Sequence, residues 1–171
     1  ADTDGESVHL NTPEDLAALI ARIAAPAPGQ RIYDPVCGAG TLLVQAAQTI
    51  EGGDFALYGQ EKNGGRWALA RMHTILHGLL AAPAFIEDGA LATFDTVLAN
   101  PPFSKGSWGA DSAQHDAYGR FERGLPPASR GDFAFISHML ASAAPGTGRV
   151  VTAVAHGALF RGGTEGRIRK R

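Results

Sequence analysis

The sequence of 171 residues is poor in cysteine, in long apolar runs and in net charge. Its one cysteine excludes an internal disulfide framework, so nothing argues for secretion. No apolar run approaches 18 residues, which excludes a membrane-spanning helix, and the acidic, polar N-terminus excludes a signal peptide. The sequence therefore predicts a soluble, cytoplasmic protein, and its length corresponds to one domain.

The net charge of −2 is weak for a protein that would bind nucleic acid unaided. Residues 1–85 hold five Lys and Arg against nine Asp and Glu, whereas residues 86–171 hold ten against eight. The basic excess lies at the end, from Arg161 to Arg171, and is typical of a solvated helix start, with a phosphate-contacting patch as the alternative. Because the chain stops inside this charged, helix-like segment, we expect a fragment of a longer polypeptide.

Helical and strand-like segments alternate along the chain, which predicts an α/β fold with a mostly parallel sheet and helices on both faces. Thr12 suits the cap of the first helix and Pro13 its first position. Residues 104–131 have little regular pattern and predict a lid or binding loop, or else disorder. The predicted helices cover 12–25, 41–50, 65–77 and 132–144, and the predicted strands cover 31–33, 55–59, 84–86, 95–99 and 149–155.

A glycine loop, residues Asp34 to Thr41 (Asp-Pro-Val-Cys-Gly-Ala-Gly-Thr), joins the first strand to the second helix. Such a loop lets backbone approach a ligand closely, at the carboxyl ends of parallel strands. Leu43 stands where a dinucleotide fingerprint needs a small residue, and the loop lacks the lysine of a phosphate loop. The loop therefore suits a ligand without a pyrophosphate, and S-adenosylmethionine fits. A purely structural tight turn is the alternative.

Glu61 follows the second predicted strand, about 21 residues beyond the glycine loop. At that place a carboxylate can accept hydrogen bonds from both hydroxyls of a ribose. The alternative is an ordinary surface acid.

The fourth predicted strand ends in Asn100-Pro101-Pro102-Phe103. An exocyclic amino group on a base is a poor nucleophile, because its lone pair is delocalised into the ring. Two acceptors, the Asn100 side-chain oxygen and the Pro101 carbonyl, can bind its two hydrogens and stabilise the positive charge that develops. The prolines hold these acceptors in place, and Phe103 can stack on the base. The alternative is a rigid turn with a core phenylalanine.

This chemistry needs neither a metal nor a covalent intermediate. His73 and His77 are four residues apart on a helix but lack the glutamate of a zinc-binding HExxH, so we expect no metal site. We expect Cys37 to be a small apolar residue of the loop and Trp67 to belong to the core.

The glycine loop and Asn-Pro-Pro-Phe, about sixty residues apart in this order, resemble amino-methyltransferases that use S-adenosylmethionine, most closely the DNA adenine-N6 methyltransferases. Residues 58–63, 95–103 with Trp108-Gly109, 131–135 and 157–166 resemble the modification subunits of type I restriction-modification systems. The resemblance implies a Rossmann-like methyltransferase fold over residues 1–171, as the catalytic domain. It also implies N6 methylation of an adenine flipped out of duplex DNA, with a specificity subunit and a restriction subunit as partners and no membrane.

The resemblance also assigns residues. Thr12-Pro13 resembles the Thr-Pro that touches the methionine end of the cofactor, and Asp88 resembles the acid that binds its adenine amino group, with Glu87 as the alternative. Ala155-His156-Gly157 stands where the family usually has Pro-Asn-Gly, which leaves the role of His156 open. The expected catalytic residues are Asn100, Pro101, Pro102 and Phe103. The expected cofactor-binding residues are Thr12, Asp34, Cys37, Gly38, Gly40, Thr41, Leu42, Glu61, Lys62, Asp88 and Asn100.

Two other functions stay open from the sequence. A protein glutamine or RNA methyltransferase would use related chemistry, although release-factor glutamine methyltransferases typically have tyrosine where Phe103 stands. A domain that binds the cofactor without turnover is the third possibility. Residues 104–131 are expected on the target side of the site.

Overall fold

The computed structural model describes residues 12–83 and 86–171. Within those ranges no helix is long and apolar enough to cross a membrane. The helices are α1 Glu14–Ala24, α2 Thr41–Gln48, α3 Gly64–Leu76, α4 Ala110–Ala113, α5 Asp132–Ala141, α6 His156–Phe160 and α7 Gly163–Arg169. The strands are β1 Arg31–Asp34, β2 Ala56–Gly59, β3 Ala81–Pro83, β4 Ile86–Glu87, β5 Ala90–Leu91, β6 Thr96–Ala99 and β7 Arg149–Thr152.

Five strands form a parallel sheet in the order β3-β2-β1-β6-β7. From β1 the chain builds outward through β2 and β3, and it then returns to the other side of β1 to place β6 and β7. The strand order therefore reverses between β1 and β6. In open parallel sheets a crevice lies at the carboxyl ends of the strands at such a reversal, and ligands bind there.

The sheet is covered on both faces, as the sequence predicted. Ile32 of β1 and Leu98 of β6 belong to a core shared with α1 and α2. Their neighbours Tyr33 and Val97 belong to a second core, which includes Met139 of α5. Because successive side chains of a strand point to opposite faces, α2 and α5 lie on opposite sides of the sheet. The crevice between β1 and β6 is therefore flanked by a helix from each face.

Pairing between β1 and β6 is short. It joins Ile32 with Thr96 and Tyr33 with Val97, so it ends before either strand does. By contrast, β6 and β7 pair at four positions, up to the last residue of each strand. The seam between β1 and β6 thus opens towards its carboxyl end, on the side of the predicted cofactor site.

The predicted helices and most predicted strands are confirmed to within a few residues. The third strand is wrong in position, because β3 is Ala81–Pro83 rather than 84–86. Residues 84 and 85 lie outside the described residues, and Ile86 starts β4, which pairs with β5 in an antiparallel hairpin. The stretch from Leu79 to Ile86 is apolar throughout, so hydrophobicity could not locate the paired residues. The short helices α4 and α6 were not predicted, whereas α7 lies in the charged segment that the sequence indicated as helix-like.

Candidate functional site

The glycine loop is shaped by two residues with left-handed backbone conformations. Gly38 has φ 53° and Gly40 has φ 80°, values that a residue with a side chain adopts only with strain. The Gly40 amide donates to the Cys37 carbonyl at 2.7 Å and closes the turn in front of α2. Backbone bonds tie the loop to the end of β2, since Cys37 N donates to Gln60 O and Gln60 N donates to Asp34 O, each at 2.9 Å. The backbone itself therefore holds the loop.

A histidine from α3 also contacts the loop. His73 Nδ1 lies 3.0 Å from the carbonyl oxygen of Ala39, which can only accept, so Nδ1 carries the proton of this bond. The His77 ring packs edge-on against His73 at 5.1 Å between centroids. The sequence showed the histidine pair but not its contact, because nothing local indicates that α3 packs on the loop.

Burial sets the ionisation of the groups at the start of the loop. Asp34 is 2% exposed, and its Oδ1 accepts from the Val36 amide at 2.9 Å. Burial raises the pKa of Asp34 to about 7; the Val36 hydrogen bond opposes this rise and the negative charge of Glu61 adds to it. Burial likewise raises the pKa of the Cys37 thiol, so Cys37 is a neutral, buried residue, as the sequence indicated.

Glu61 is held directly after β2 by a turn into α3. Its Oε1 accepts from the Asn63 amide at 2.8 Å, and the Asn63 side chain in turn accepts from the Arg66 amide at 3.1 Å, capping α3. The carboxylate is half-buried and keeps a second oxygen for another donor. Lys62 beside it is exposed.

The first turn of α2 offers backbone rather than side chains. Leu42 is buried in the core, so only its amide can reach a ligand. Thr41 is half-buried at the first position of the helix. Amides at this end of a helix have no acceptor within the helix.

Asn100 and Thr12 meet although 88 residues separate them. Asn100 Nδ2 donates to Thr12 Oγ1 at 3.4 Å, so the side-chain oxygen of Asn100 is left to accept from another group. The predicted capping role of Thr12 is wrong, because Pro13 caps α1 without a side-chain bond and the helix starts at Glu14. Thr12 instead joins the first described residues to the Asn-Pro-Pro-Phe loop.

The rest of that loop divides into a buried and an exposed part. Pro101 is buried, whereas Pro102 is exposed and 49% of Phe103 is accessible. The alternative of a core phenylalanine is therefore excluded. Phe103 presents an aromatic face to solvent beside Asn100.

The acids after β3 differ in their surroundings. Glu87 forms an ion pair with Arg31, whose guanidinium lies over the rings of Tyr58 and Phe94. Asp88 is exposed at the turn of the β4–β5 hairpin, with a left-handed φ of 50°. The exposed Asp88 carboxylate lies on the turn that directly follows Glu87, and its contact with the cofactor adenine stays a prediction.

Residues 104–131 contain hydrogen bonds and ring contacts within the segment. Trp108 Nε1 donates to the Pro127 carbonyl at 3.0 Å, and the Trp108 and Phe121 rings lie 5.7 Å apart. Beneath this segment lies a cavity of about 340 Å³, which the sequence did not reveal because four separate segments form it. The residues that line it are Pro35, Gln60, Trp108, Gly109, Ser112, Ala113, Arg120, Phe121, Ala134, Phe135 and His138.

Two of the cavity residues are joined through a buried tyrosine. The Tyr33 hydroxyl donates to Gln60 Oε1 at 2.8 Å and lies 3.0 Å from His138 Nε2. Since that hydroxyl proton goes to Gln60, His138 Nε2 donates to the tyrosine oxygen. The pKa of His138 is lowered to about 4, mainly by burial and also by the positive charge of Arg120, against the opposing effect of Asp116. The cavity wall therefore carries a neutral imidazole.

His156 has different neighbours. It is exposed at the start of α6, and its ring packs against Phe160 at 4.9 Å between centroids.

A sequence profile of the N-6 DNA Methylase family matches residues 1–171, the whole chain. The chain belongs to this family. It is 32% identical to the MjaVII type I restriction enzyme methylase subunit of Methanocaldococcus jannaschii, over 95% of this chain and 30% of that protein. The crystal structure of a type I restriction-modification system methyltransferase subunit from Streptococcus thermophilus superposes with a TM-score of 0.80 and 36% identity, over 94% of this chain and 37% of that one.

A tRNA (guanine(6)-N2)-methyltransferase of Thermus thermophilus is 33% identical over 67% of this chain and 36% of that protein. This chain of the N-6 DNA Methylase family spans about a third of the length of the type I methylase subunits that it matches. Its sheet and helices form the Rossmann-like fold of S-adenosylmethionine-dependent methyltransferases.

Proposed function

We propose that this chain is the catalytic, cofactor-binding domain of a DNA methyltransferase that transfers a methyl group from S-adenosylmethionine to N6 of adenine. The observation that carries the proposal is the place of Asn100. It follows β6 across the open seam from the glycine loop that follows β1, and it bonds to Thr12. A cofactor at one strand end and an amino group at the next would then be neighbours.

The residues of the seam fit S-adenosylmethionine. Two left-handed glycines leave room for backbone contact, and the loop has no lysine for a phosphate. Glu61 has a carboxylate oxygen available for ribose hydroxyls, and Asp34 offers an acid for the methionine end together with Thr12. Bound there, S-adenosylmethionine supplies a methyl group already activated by its sulfonium. Cys37, Gly38, Gly40, Thr41, Leu42 and Lys62 complete the proposed cofactor site, with Asp88 proposed for the cofactor adenine.

The chain's own contribution to the reaction is to hold the amino group. The Asn100 side-chain oxygen and the Pro101 carbonyl accept the two amino hydrogens, which turns the nitrogen lone pair towards the methyl donor. They also stabilise the positive charge that develops on the nitrogen, in the way fixed dipoles do in other enzymes. Pro101 and Pro102 restrict the backbone, and exposed Phe103 stacks on a base taken out of the duplex.

We further propose that the full protein acts as the modification subunit of a type I restriction-modification system. The relatives with type I names support this, because they match nearly all of this chain. The net charge of −2 supports a division of labour in which a specificity subunit supplies most of the DNA contacts. A restriction subunit would join that complex for cleavage, and residues 104–131 would face the target base.

Transfer of a tritiated methyl group tests the proposal. The full-length protein, with and without its specificity subunit, is incubated with S-adenosylmethionine and duplex DNA, and the labelled nucleoside is identified by chromatography. We expect N6-methyladenine, formed only in the assembled complex. Label in tRNA rather than DNA would favour the second candidate, a tRNA methyltransferase, for which the Thermus relative is the supporting observation. Cofactor binding without transfer to any substrate would leave a binding domain without turnover.

A further inference from the structure

The backbone directly after Phe103 adopts a conformation that its sequence does not favour. Ser104 has a left-handed φ of 49°, although it is not a glycine. Such a conformation persists in a residue with a side chain only where surrounding bonds hold it. We name residues Phe103–Lys105 the bend.

Two hydrogen bonds hold the bend to the start of α5. The Ser104 amide donates to Asp132 Oδ1 at 2.8 Å, and the Gly131 amide donates to the Lys105 carbonyl at 2.8 Å. The approach is close, because a Cβ on Gly131 would lie 2.9 Å from the Cβ of Trp108. The first turn of α5 therefore presses directly against the residues that follow Phe103.

Asp132 is itself fixed by buried charges. It is 4% exposed, and its second oxygen accepts from Arg161 Nη2 at 2.5 Å. The same guanidinium donates to both oxygens of Glu165, which is 3% exposed, at 2.5 and 2.9 Å. Arg130 Nη1 lies 3.9 Å from Glu165 and brings a second positive charge to the two carboxylates. We name Asp132, Arg161 and Glu165 the charge network.

Stability alone is a weak explanation for such a network. Removing charges from water costs free energy, and the attraction within a buried pair often does no more than offset that cost. Arg161 holds Glu165 through two hydrogen bonds, and its Nη2 also donates to Asp132, so the planar guanidinium fixes the Asp132 carboxylate relative to Glu165. The orientation of Asp132 in turn sets the direction of the Ser104 amide, one residue after Phe103.

We propose that Asp132 and Arg161 are positioning residues for methyl transfer, which hold the bend and thereby fix Asn100 to Phe103 where the target base must lie. This rests on the proposed function. Neither residue touches the base; each acts through the Ser104 backbone. Because an error of about 1 Å in the placement of reacting groups can cost about a hundredfold in rate, a network this far from the chemistry can still control it.

The test compares Asp132→Ala with Asp95→Ala in the full-length, assembled protein. Asp95 is a matched control, because its Oδ2 likewise accepts from a backbone amide, that of Arg31 at 2.8 Å, but at the amino ends of β1 and β6, away from the carboxyl ends where the candidate site lies. We expect Asp132→Ala to lower kcat by about a hundredfold while the affinity for S-adenosylmethionine stays at the wild-type value. We expect Asp95→Ala to keep the wild-type kcat.

A second readout separates positioning from a general loss of structure. With 2-aminopurine at the target position, fluorescence reports how firmly the flipped base is held. At saturating DNA we expect a weaker signal for Asp132→Ala than for wild type, and an unchanged signal for Asp95→Ala. Loss of thermal stability with kcat and fluorescence intact would mean that the network is only structural, and it would overturn the proposal.

Two conservative variants decide the matter if Asp132→Ala fails to fold. Asp132→Asn keeps an acceptor for the Ser104 amide but loses the charge facing Arg161, and Arg161→Lys keeps the charge but loses the bidentate geometry. We expect both to lower kcat by less than Asp132→Ala would. Wild-type kcat and fluorescence in both would overturn the inference. A wild-type complex that methylates no DNA would instead contradict the proposed function itself.

Discussion

The two halves of the candidate site lie at neighbouring strand ends and are held by different kinds of bond. The glycine loop is fixed by main-chain hydrogen bonds to the end of β2 and by two glycines. The bend after Phe103 is fixed by a carboxylate that an arginine orients. The conformation of the glycine loop depends on backbone bonds, so it tolerates many side-chain substitutions. The conformation of the bend depends on single charged side chains, so one substitution can remove the bond that holds it.

We therefore expect substitutions in the cofactor half to lower the affinity for S-adenosylmethionine. Substitutions in the target half should instead lower the rate of methyl transfer.

Replacing Asn100 with alanine should have the greatest effect on rate. Loss of one aimed polar group costs about 10²–10³ in comparable catalytic sites. We expect single-turnover methylation by Asn100→Ala to fall at least that far, because the paired acceptors act together. Calorimetry on the same variant should show near wild-type affinity for S-adenosylmethionine. Methylation at the normal rate would mean that this loop is only a turn.

Glu61→Ala should affect the other half. Hydrogen bonds to a charged acceptor contribute about 1.5–3 kcal/mol, which corresponds to about a 10- to 100-fold loss in affinity for S-adenosylmethionine. At saturating cofactor the rate should approach that of wild type. Glu51→Gln is the control, since Glu51 is an exposed acid between α2 and β2, before the amino end of β2, and belongs to no predicted site. Equal cofactor affinity in wild type and Glu61→Ala would remove Glu61 from the site.

Phe103→Ala should weaken capture of the flipped base by about 1–3 kcal/mol, the contribution of stacking on an aromatic side chain. Stability should hardly change, because half of the ring is exposed. Phe103→Trp should keep part of the activity. Phe160→Ala removes a phenylalanine that is still more exposed and should leave KM for DNA unchanged. An unchanged KM in Phe103→Ala as well would exclude stacking.

The smallest expected effect concerns stability and pH. In the folded chain the pKa of His138 is about 4, against an ordinary value of 6.5, so the unfolded chain binds more protons between these values. The stability that neutral His138 contributes is therefore lost as pH falls from about 6.5 to 4. Asp34 has the opposite sign, because its pKa is raised to about 7 and the folded chain holds the extra proton.

Urea unfolding of wild type and His138→Gln at pH 7 and pH 5 isolates this effect, since the contribution of Asp34 is common to both. We expect the advantage of wild type over the variant to be smaller at pH 5. An advantage that grows as the pH falls would show that the imidazole is charged in the folded chain.

The same contrast explains what the sequence could predict. The glycine loop, Glu61 and Asn100 each follow a strand directly, so the local pattern indicated both the residues and the edge of the sheet where they lie. No local pattern indicates how α1 and α3 pack. That packing determines the bond from Asn100 to Thr12 and the contact of His73 with Ala39. Of the two roles that the sequence offered for Thr12, the helix cap is therefore wrong, and the contact with the cofactor stays a prediction.

The charge network was less predictable still. Asp132 and Glu165 are separated by a strand, a short unpredicted helix and several turns, and each alone looks like an acid in the first turn of a helix. Arg161 looked like part of a solvated basic end. Only the tertiary fold reveals that Arg161 bonds to both carboxylates and that one of them holds the bend.

The short pairing between β1 and β6 has a consequence for how a ligand would be sensed. These two strands pair at fewer positions than any other neighbours in the five-stranded sheet, and backbone with few such bonds exchanges its amide protons with solvent through small openings. A molecule that contacts the ends of both strands would hold them together and make these openings rarer. We expect S-adenosylmethionine to slow deuterium uptake at Asp34 and at Ala99 together. Binding of the cofactor at the end of β1 would then also make the backbone at the end of β6, beside the target-base residues, less mobile.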